Sequence, residues 1–495
     1  MDLEEWARQV FENPAHLFFS LWQLASGLNT FQRTTSDPCA DLVLAFDKSL
    51  STESTEVAVR GIVDTILSAK NDVRSRKHGT VLCAMRCIDQ KFLTIHPRSQ
   101  CTIHKGIEVE SPVDWLCDLA ETRALAGSYY SVGGMHLISR GPLTRQARAQ
   151  FAGGGERLQD YFSALAVVPS TYRNNESQIR VRHAVLASGG ISGVAKAENL
   201  GSERVAFAPV ARKNEDLRIV QSEVGGQGFI EVEMTVDAAS ILTNVIREVG
   251  SVDLLIAPEM TVNQASAENI AENIRAGTFP SPRMAVVGSG NSSEISGDGL
   301  CWNQASILNQ FGVILWQQRK VWTSGFNSTR AAEYGLTCPD GKFLLEKNAE
   351  STEVVIADID GLGRCVVLIC QDLESKPLAA DLLLDYQPDW VLVPILDQGI
   401  TPGRWAHQRA FELSANSSAR FLVASSLSLV PEGCSTIPPC GFAIGPKAMS
   451  DDGRDSDRTF KAAIVDPKGA REFVTIQWRN GDWEQTVMNA QSSKE

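Results

Sequence analysis

Short apolar runs alternate with polar connections along this chain, and several of the runs end in an ionisable side chain. Val366, Val367, Leu368 and Ile369 follow one another and then give way to Cys370, the pattern of a buried strand that delivers a thiol to its open end. The same grammar holds at Leu254, Leu255 and Ile256, where Pro258 stops the ladder and Glu259 is left at the carboxyl end, the place where open α/β sheets put their chemistry. A third run, from Phe311, ends in Arg319-Lys320. Met284 to Gly288, Val354 to Ile359, Trp390 to Ile395 and Phe421 to Ala424 read as further strands, and Lys461 to Gly469 with Phe473 to Ile476 as a closing hairpin around a Pro/Gly turn. Between them, Asp237 caps a helix that carries Ile241, Leu242, Val245, Ile246 and Val249 on one face and ends at Gly250. Ser375 and Pro377 open another helix, with Leu378, Leu382 and Leu383 facing inward. The Gly, Ser and Asn content of Ser289 to Gly299 predicts a mobile loop.

The first two hundred residues follow a different pattern. Trp6, Val10, Phe18, Leu21, Trp22 and Leu24 recur at helical spacing, and Val57 to Ala69 continues in that manner, so the chain opens with helices. Thr80 to Ile88 and Lys91 to Ile95 predict paired strands that turn at Asp89-Gln90. Small, polar residues from Ala187 to Gly193 predict a linker within 186–203. The expected organisation is therefore a mixed, largely helical N-terminal domain over 1–200, a layered α/β domain over 204–486 and a flexible polar tail over 487–495.

Composition narrows the function. With 495 residues, 43% hydrophobic and 21% charged, the chain can bury a large core. No apolar run has the length of a membrane helix, and Asp2, Glu4 and Glu5 stand where a signal peptide is basic, so a cytoplasmic protein is expected. Eleven cysteines over such a length make no disulfide framework and are expected to be reduced. Residues 1 to 200 hold 21 basic and 21 acidic residues, so the whole formal charge of -13 falls on the remainder. Neither part offers the basic face that nucleic-acid binding needs. Cys83, Cys87, Cys101, His96 and His104 lie close together, but only Cys101 and His104 have a usual zinc-ligand spacing, so no metal is expected. The clusters Gly153 to Gly155, Gly189-Gly190 and Gly225-Gly226 lack the Lys-Ser/Thr or Gly-x-Gly-x-x-Gly context of phosphate loops and read as connections.

In order, then, the chain offers a carboxylate, an ammonium and a thiol, each after its own strand. Glu259, Lys320 and Cys370 resemble the Glu-Lys-Cys triad of the nitrilase, or carbon-nitrogen hydrolase, superfamily. The likeness extends over roughly residues 204 to 480. Arg204 to Ala208 is similar to the family's opening strand, Ala257-Pro258-Glu259 to its strand-end Pro-Glu, and Trp302-Asn303-Gln304-Ala305 to the segment before the lysine strand. Ile369-Cys370-Gln371-Asp372 is similar to its Ile-Cys-x-Asp signature, and Arg409-Ala410-Phe411-Glu412 to its Arg-Ala-x-Glu helix.

The resemblance implies an α-β-β-α sandwich, subunits that pair into a homodimer or larger assembly, and hydrolysis without metal or organic cofactor. In that chemistry Cys370 attacks an amide, carbamoyl or nitrile carbon, Glu259 is its base, and Lys320 meets the charge that develops on O or N. A helix starting beside Cys370 would favour the thiolate. The family also places a second glutamate between the lysine and the cysteine, for which Glu333, ahead of a Pro-Gly turn, is the candidate and Glu346 the alternative. Arg409, Glu412 and Asn303 are read as structural. Leu373-Glu374-Ser375-Lys376 and Val321-Trp322 depart from segments common among the family's amidases, which leaves the substrate open. The other functions to weigh are a catalytically silent scaffold, with residues 1–200 as its protein-binding module, and an accessory or effector subunit of the kind found in bacterial defence. With no Tyr-x-Asp-Asp motif, the chain is not itself a reverse transcriptase.

Overall fold

Where the sequence alternates every third or fourth residue, the chain coils. A computed structural model describes residues 3–29, 40–69, 77–93, 113–144, 157–174, 177–186 and 202–429, except 340, 360, 376–377, 398–399, 401, 416 and 418, and then 438–445, 462–465, 472–479 and 482–486. Helices α1 (Leu3–Trp6), α2 (Pro14–Ala25), α3 (Ala40–Leu50), α4 (Thr55–Ala69), α5 (Lys77–Phe92) and α6 (Asp114–Ala126) make up most of the N-terminal part. The opening pattern is interrupted because Asn13 caps α2, its side chain accepting from the His16 N–H at 2.9 Å, with Pro14 in the first turn.

The strand pair expected at Thr80 to Ile95 is instead α5, with residues 94 and 95 outside the described residues. Val81, Ala84, Met85, Ile88 and Phe92 share helical spacing, and Leu82 and Cys83 are buried as well. A helix buried nearly all round reads like a continuous apolar run, in which the helical period does not show. Asp89, expected at a turn, is a buried carboxylate that accepts from the backbone N–H groups of Ser163, Ala164 and Leu165 at 2.8–2.9 Å. It ties α5 to the strands that follow.

Those strands are β1 (Tyr130–Val132), β2 (Met135–Ser139), β3 (Leu165–Pro169), β4 (Thr171–Asn174) and β5 (Ser177–Leu186). The second part contributes β6 (Arg204–Phe207), β7 (Leu217–Val224), β8 (Gln227–Met234), α7 (Ala238–Val249), β9 (Leu254–Ile256), α8 (Gln264–Ala276), β10 (Met284–Ile295), β11 (Cys301–Asn309) and β12 (Ile314–Arg319). It continues with β13 (Gly325–Phe326), α9 (Ser328–Glu333), β14 (Leu344–Glu346), β15 (Glu353–Ile359), β16 (Gly363–Val367), α10 (Gln371–Glu374), α11 (Leu378–Tyr386) and β17 (Trp390–Pro394). Last come α12 (Trp405–Ala415), β18 (Arg420–Ala424), β19 (Gly441–Ile444), β20 (Ala462–Val465), β21 (Val474–Arg479) and β22 (Asp482–Thr486).

Two large sheets result. One has the order β12-β11-β10-β9-β6-β21-β22 and the other β20-β19-β18-β17-β16-β15-β5-β4. Their inner faces share one core, in which Val205, Phe207, Ile256 and Val286 meet Val355, Val367, Leu392 and Leu422. Helices α7 and α8 cover the outer face of the first sheet through Leu242, Val245, Ile246 and Ile270. Helices α11 and α12 cover the second through Leu378, Leu382, Ala406 and Ala410. This is an α-β-β-α sandwich, and Asp237 and Gly250 bound α7 as expected.

Two details differ from the sequence reading. Ser289 to Ile295 is no loop: β10 runs on through a register shift and pairs with β11. The expected closing hairpin is split, because β20 completes one sheet and β21 crosses to the other, where it pairs with β6 and β22. Gly225 and Gly226 form a hairpin turn with positive φ of 62° and 81°, joining β7 to β8.

The N-terminal part is welded to this sandwich. β5 lies parallel to β15 from Arg180 to Leu186, so the division expected near residue 200 would separate β5 from its partner; residues 187–201 lie outside the described residues. Arg364, fully buried at the foot of β16, donates Nε to Asp358 Oδ1 at 2.7 Å and Nη1 to the Tyr386 carbonyl at 2.8 Å, and reaches the Ser139 carbonyl on β2. Arg123 on α6 (2.6 Å) and His183 on β5 (3.1 Å) close on Asp358 Oδ2. Burial alone would push the Asp358 carboxyl up; Arg364, His183 and Arg123 outweigh it and hold it well below its ordinary value. Beside this cluster the Asp389 carboxylate accepts from the backbone N–H groups of Leu143 and Arg364 at 2.8 and 2.6 Å. It occupies the space that a Cβ would need at both Gly141 and Gly363.

Removing one partner of such a cluster strands the others. Arg364→Ala is expected to cost about 3–5 kcal/mol of unfolding free energy at neutral pH, read by urea denaturation. Because the Asp358 value is depressed, its contribution is in place above the unfolded carboxylate range and is lost only as the pH falls through the folded value.

Candidate active site

Each triad residue sits just past the end of a strand, and the two sheets bring those ends together. After β9, the Ala257 N–H still donates to the Val286 carbonyl at 2.9 Å. Pro258 then ends the ladder, and the Glu259 N–H crosses to the Ile395 carbonyl of the opposite sheet at 3.3 Å. Lys320 follows β12, its N–H donating to the Asn303 carbonyl at 2.8 Å. Cys370 follows β16, its N–H bonded to the Pro394 carbonyl at 3.0 Å. Cys370 takes a φ of 49°, in the left-handed region that non-glycine residues avoid, and starts α10. The turn is sharp enough to present the thiol at the open end of its sheet.

The side chains meet. Lys320 Nζ lies 2.8 Å from Glu259 Oε1 and 2.8 and 2.7 Å from the two oxygens of Glu346. Asn303 Nδ2 donates to Glu259 Oε1 at 2.9 Å and the Leu396 N–H to Oε2 at 3.0 Å. Ser324 bridges Lys320 and Glu346. Glu259 and Lys320 are only 1% and 2% exposed, and Cys370 is 7% exposed. The thiol stands beside Glu259 and helps to hold its charge.

Glu333 is not part of this cluster. It is an exposed residue at the end of α9, and the carboxylate on Lys320 is Glu346, which ends β14. The same strand-end grammar that marks Glu259 is present in Leu344-Leu345-Glu346, so a signal for it exists in the sequence.

Two carboxylates face one ammonium in a buried site, and their electrostatics follow from that. Burial would lower the Lys320 value, but Glu259 and Glu346 outweigh it and hold the ammonium well above its ordinary value. Burial, aided by Glu346, raises the Glu259 carboxyl against the pull of Lys320. Burial and the Glu259 charge also push the Cys370 thiol well up, so the resting site holds a thiol and not the thiolate expected from a nearby helix start. A base poised beside a protonated nucleophile is the arrangement that general-base activation requires.

Asp372, two residues beyond the thiol, is 1% exposed. Its carboxylate accepts from the Val321 and Trp322 N–H groups at 3.0 Å and from the Ile369 N–H at 3.2 Å. Arg409 and Glu412 form the expected ion pair, at 3.2 Å on the outer helix α12. The rim holds a second pair, Arg330 Nη2 to Asp397 Oδ1 at 3.0 Å, in which Asp397 also accepts from Trp405 Nε1 at 2.7 Å. Among the described residues no group of His, Cys, Asp and Glu is placed to hold a metal ion, and no helix is long and apolar enough to cross a membrane. The described cysteines are free; Cys101, His96 and His104 lie outside the described residues.

No protein-family model matches the chain, and no curated protein matches it. Solved structures similar to it include members of the nitrilase superfamily. Nit3 of Saccharomyces cerevisiae, a member of branch 10 of that superfamily, is 14% identical with a TM-score of 0.35, over 55% of this chain and 93% of its own. A Nesterenkonia amidase of the nitrilase superfamily is 16% identical with a TM-score of 0.34, over 57% of this chain and 92% of its own. The Caenorhabditis elegans NitFhit protein is 13% identical with a TM-score of 0.34, over 50% of this chain and 56% of its own.

Lys320→Met would leave Glu259 and Glu346 facing each other without a cation, so that one of them folds protonated. Its folded value then lies above the unfolded value of about 4.3, and stability falls as the pH rises from the unfolded towards the folded value. Urea unfolding of this variant is expected to show about 1–3 kcal/mol less stability at pH 8 than at pH 5.5, a larger loss than wild type shows.

Proposed function

We propose that this chain hydrolyses a non-peptide C–N bond, an amide or carbamoyl group and by extension a nitrile, through a thioester on Cys370. The observation that carries the reading is the convergence of Glu259, Lys320 and Cys370 from three strands and two sheets, with Glu346 holding the far side of the ammonium. Glu259 takes the thiol proton as sulfur attacks the carbonyl carbon. The oxygen gains the negative charge, and Lys320 Nζ is the fixed cation that meets it. Glu259 returns the proton to the departing nitrogen, ammonia or an amine leaves, and an acyl thioester remains. Water attacks that thioester, giving its proton to Glu259, and the acid departs as the proton passes back to sulfur. For an amide or carbamoyl group atoms and charge balance with one water consumed; a nitrile takes up a second water at the thioimidate stage, before ammonia leaves.

The raised carboxyl of Glu259 suits this part, because a base closer to neutrality accepts the thiol proton at a smaller cost. A fixed cation at the oxyanion is typically worth about a hundred- to a thousandfold in rate. Glu346 belongs to the same machinery by keeping Lys320 charged and aimed. The N-terminal part covers α11, where Gln159 Nε2 meets the Leu384 carbonyl at 3.1 Å and Tyr172 donates to Asp385 at 2.9 Å. Assembly into a homodimer or larger oligomer belongs to the same proposal and is read by light scattering.

Intact-protein mass after exposure to a panel of small amides, carbamoyl compounds and nitriles tests the chemistry. Wild type is expected to show an acyl-sized adduct that Cys370→Ala lacks. Glu346→Gln is expected to lower kcat by about a hundredfold, while Glu333→Gln leaves it unchanged. No adduct and no turnover on any panel member, with Cys370 alkylated no faster than exposed Cys117, would favour a binding scaffold.

A further inference from the structure

Asp372 is a buried carboxyl that the chemistry above does not use, pushed up to about 7 by burial against the pull of Lys320 and three backbone N–H groups, and its bonds are unusual in what they join. The Val321 and Trp322 N–H groups lie directly after Lys320 and leave the sheet that contains β12. The Ile369 N–H lies directly before Cys370, where the chain leaves the sheet that contains β16. One carboxylate therefore spans the two sheets between the ammonium and the thiol. Lys320 Nζ is held by Glu259 and Glu346, and its backbone is otherwise anchored by its N–H on the Asn303 carbonyl and by its own carbonyl, which accepts from the Ser351 N–H at 3.0 Å. Both of those backbone contacts fix it within its own half of the sandwich or the segment leading into β15, and neither reaches the segment around the thiol.

We propose that Asp372 is a positioning residue that sets the separation of Lys320 and Cys370, so that the cation lies where the oxyanion forms. The inference rests on the hydrolase reading for its effect on turnover, and on geometry alone for its effect on the thiol. No other side chain type serves as well here. An amide at this position keeps one acceptor and turns an N–H₂ donor towards backbone N–H groups. A longer carboxylate pushes the two segments apart. A misplacement of about 1 Å between reacting groups costs on the order of a hundredfold in rate.

The test compares wild type, Asp372→Asn and a matched control, Asp89→Asn, which alters an equally buried carboxylate that also accepts three backbone N–H groups, far from the site. All are assayed well below their unfolding midpoints. Asp372→Asn is expected to lower kcat about thirty- to a hundredfold with KM within about threefold, since substrate binding is left alone while the transition state loses its cation. Asp89→Asn is expected to lose stability and keep kcat. Independently of turnover, alkylation of Cys370 by iodoacetamide at pH 8 should slow about tenfold in Asp372→Asn, because a thiolate farther from Lys320 is less stable by about one pKa unit. A kcat within threefold of wild type, a change in KM alone, or an unchanged alkylation rate overturns the proposal. If Asp372→Asn does not fold, Asp372→Ser, which sets no amide against the N–H groups, is read by the same criteria. Wild type that turns nothing over while its alkylation still exceeds that of the variant would remove the hydrolase reading and leave the positioning role standing.

Discussion

The structure depends on one buried ammonium group between two carboxylates. Glu259 and Glu346 come from well-separated stretches of the α/β part of the chain, and neither is tolerable as a buried anion by itself. Lys320 makes both tolerable, but only if the strands that carry all three end at the same level. The register of β9, β12 and β14 is thereby constrained by charge as well as by apolar packing. Shifting any of these strands by one residue would turn its ionisable side chain to the wrong face and leave the others unpaired.

A comparable constraint acts at the opposite end of the same thiol-bearing strand. Arg364 is the second residue of β16 and Cys370 follows the strand, so one short strand is pinned at its foot by Asp358, Arg123 and His183 and leads at its top to the thiol. Two of those partners, Arg123 and His183, come from the first two hundred residues. The N-terminal helices are therefore part of what holds the strand in place. β5 extends the sheet by a full parallel ladder, and Asp89 fastens α5 to the turn before β3.

Much of this is legible in the residues, and where the reading fails the causes are physical. Carboxylate, ammonium and thiol can be placed at strand ends because an apolar run that stops abruptly at an ionisable group must leave the core at that point. Glu333 outranks Glu346 in the sequence only through its nearby Pro-Gly turn, whereas Phe343-Leu344-Leu345, a three-residue apolar run ending in a carboxylate, follows the rule that locates Glu259. α5 reads as strands because burial on all sides erases the polar stripe that reveals a helix. β10 reads as too short because Gly, Ser and Asn favour loops locally, whereas pairing with β11 decides the matter over a longer range. The split of β20 from β21 across two sheets has no local signal.

Gly141 and Gly363 sit on either side of the Asp389 carboxylate, one contributed by each part of the chain, and neither has space for a side chain. The joint is thus written in three places at once. A lineage that exchanged the N-terminal part for another would inherit an aspartate without the Leu143 N–H, and one that filled either glycine would first have to give up the aspartate. The two parts are consequently bound to descend together, and the seam between them should drift more slowly than the surfaces on either side.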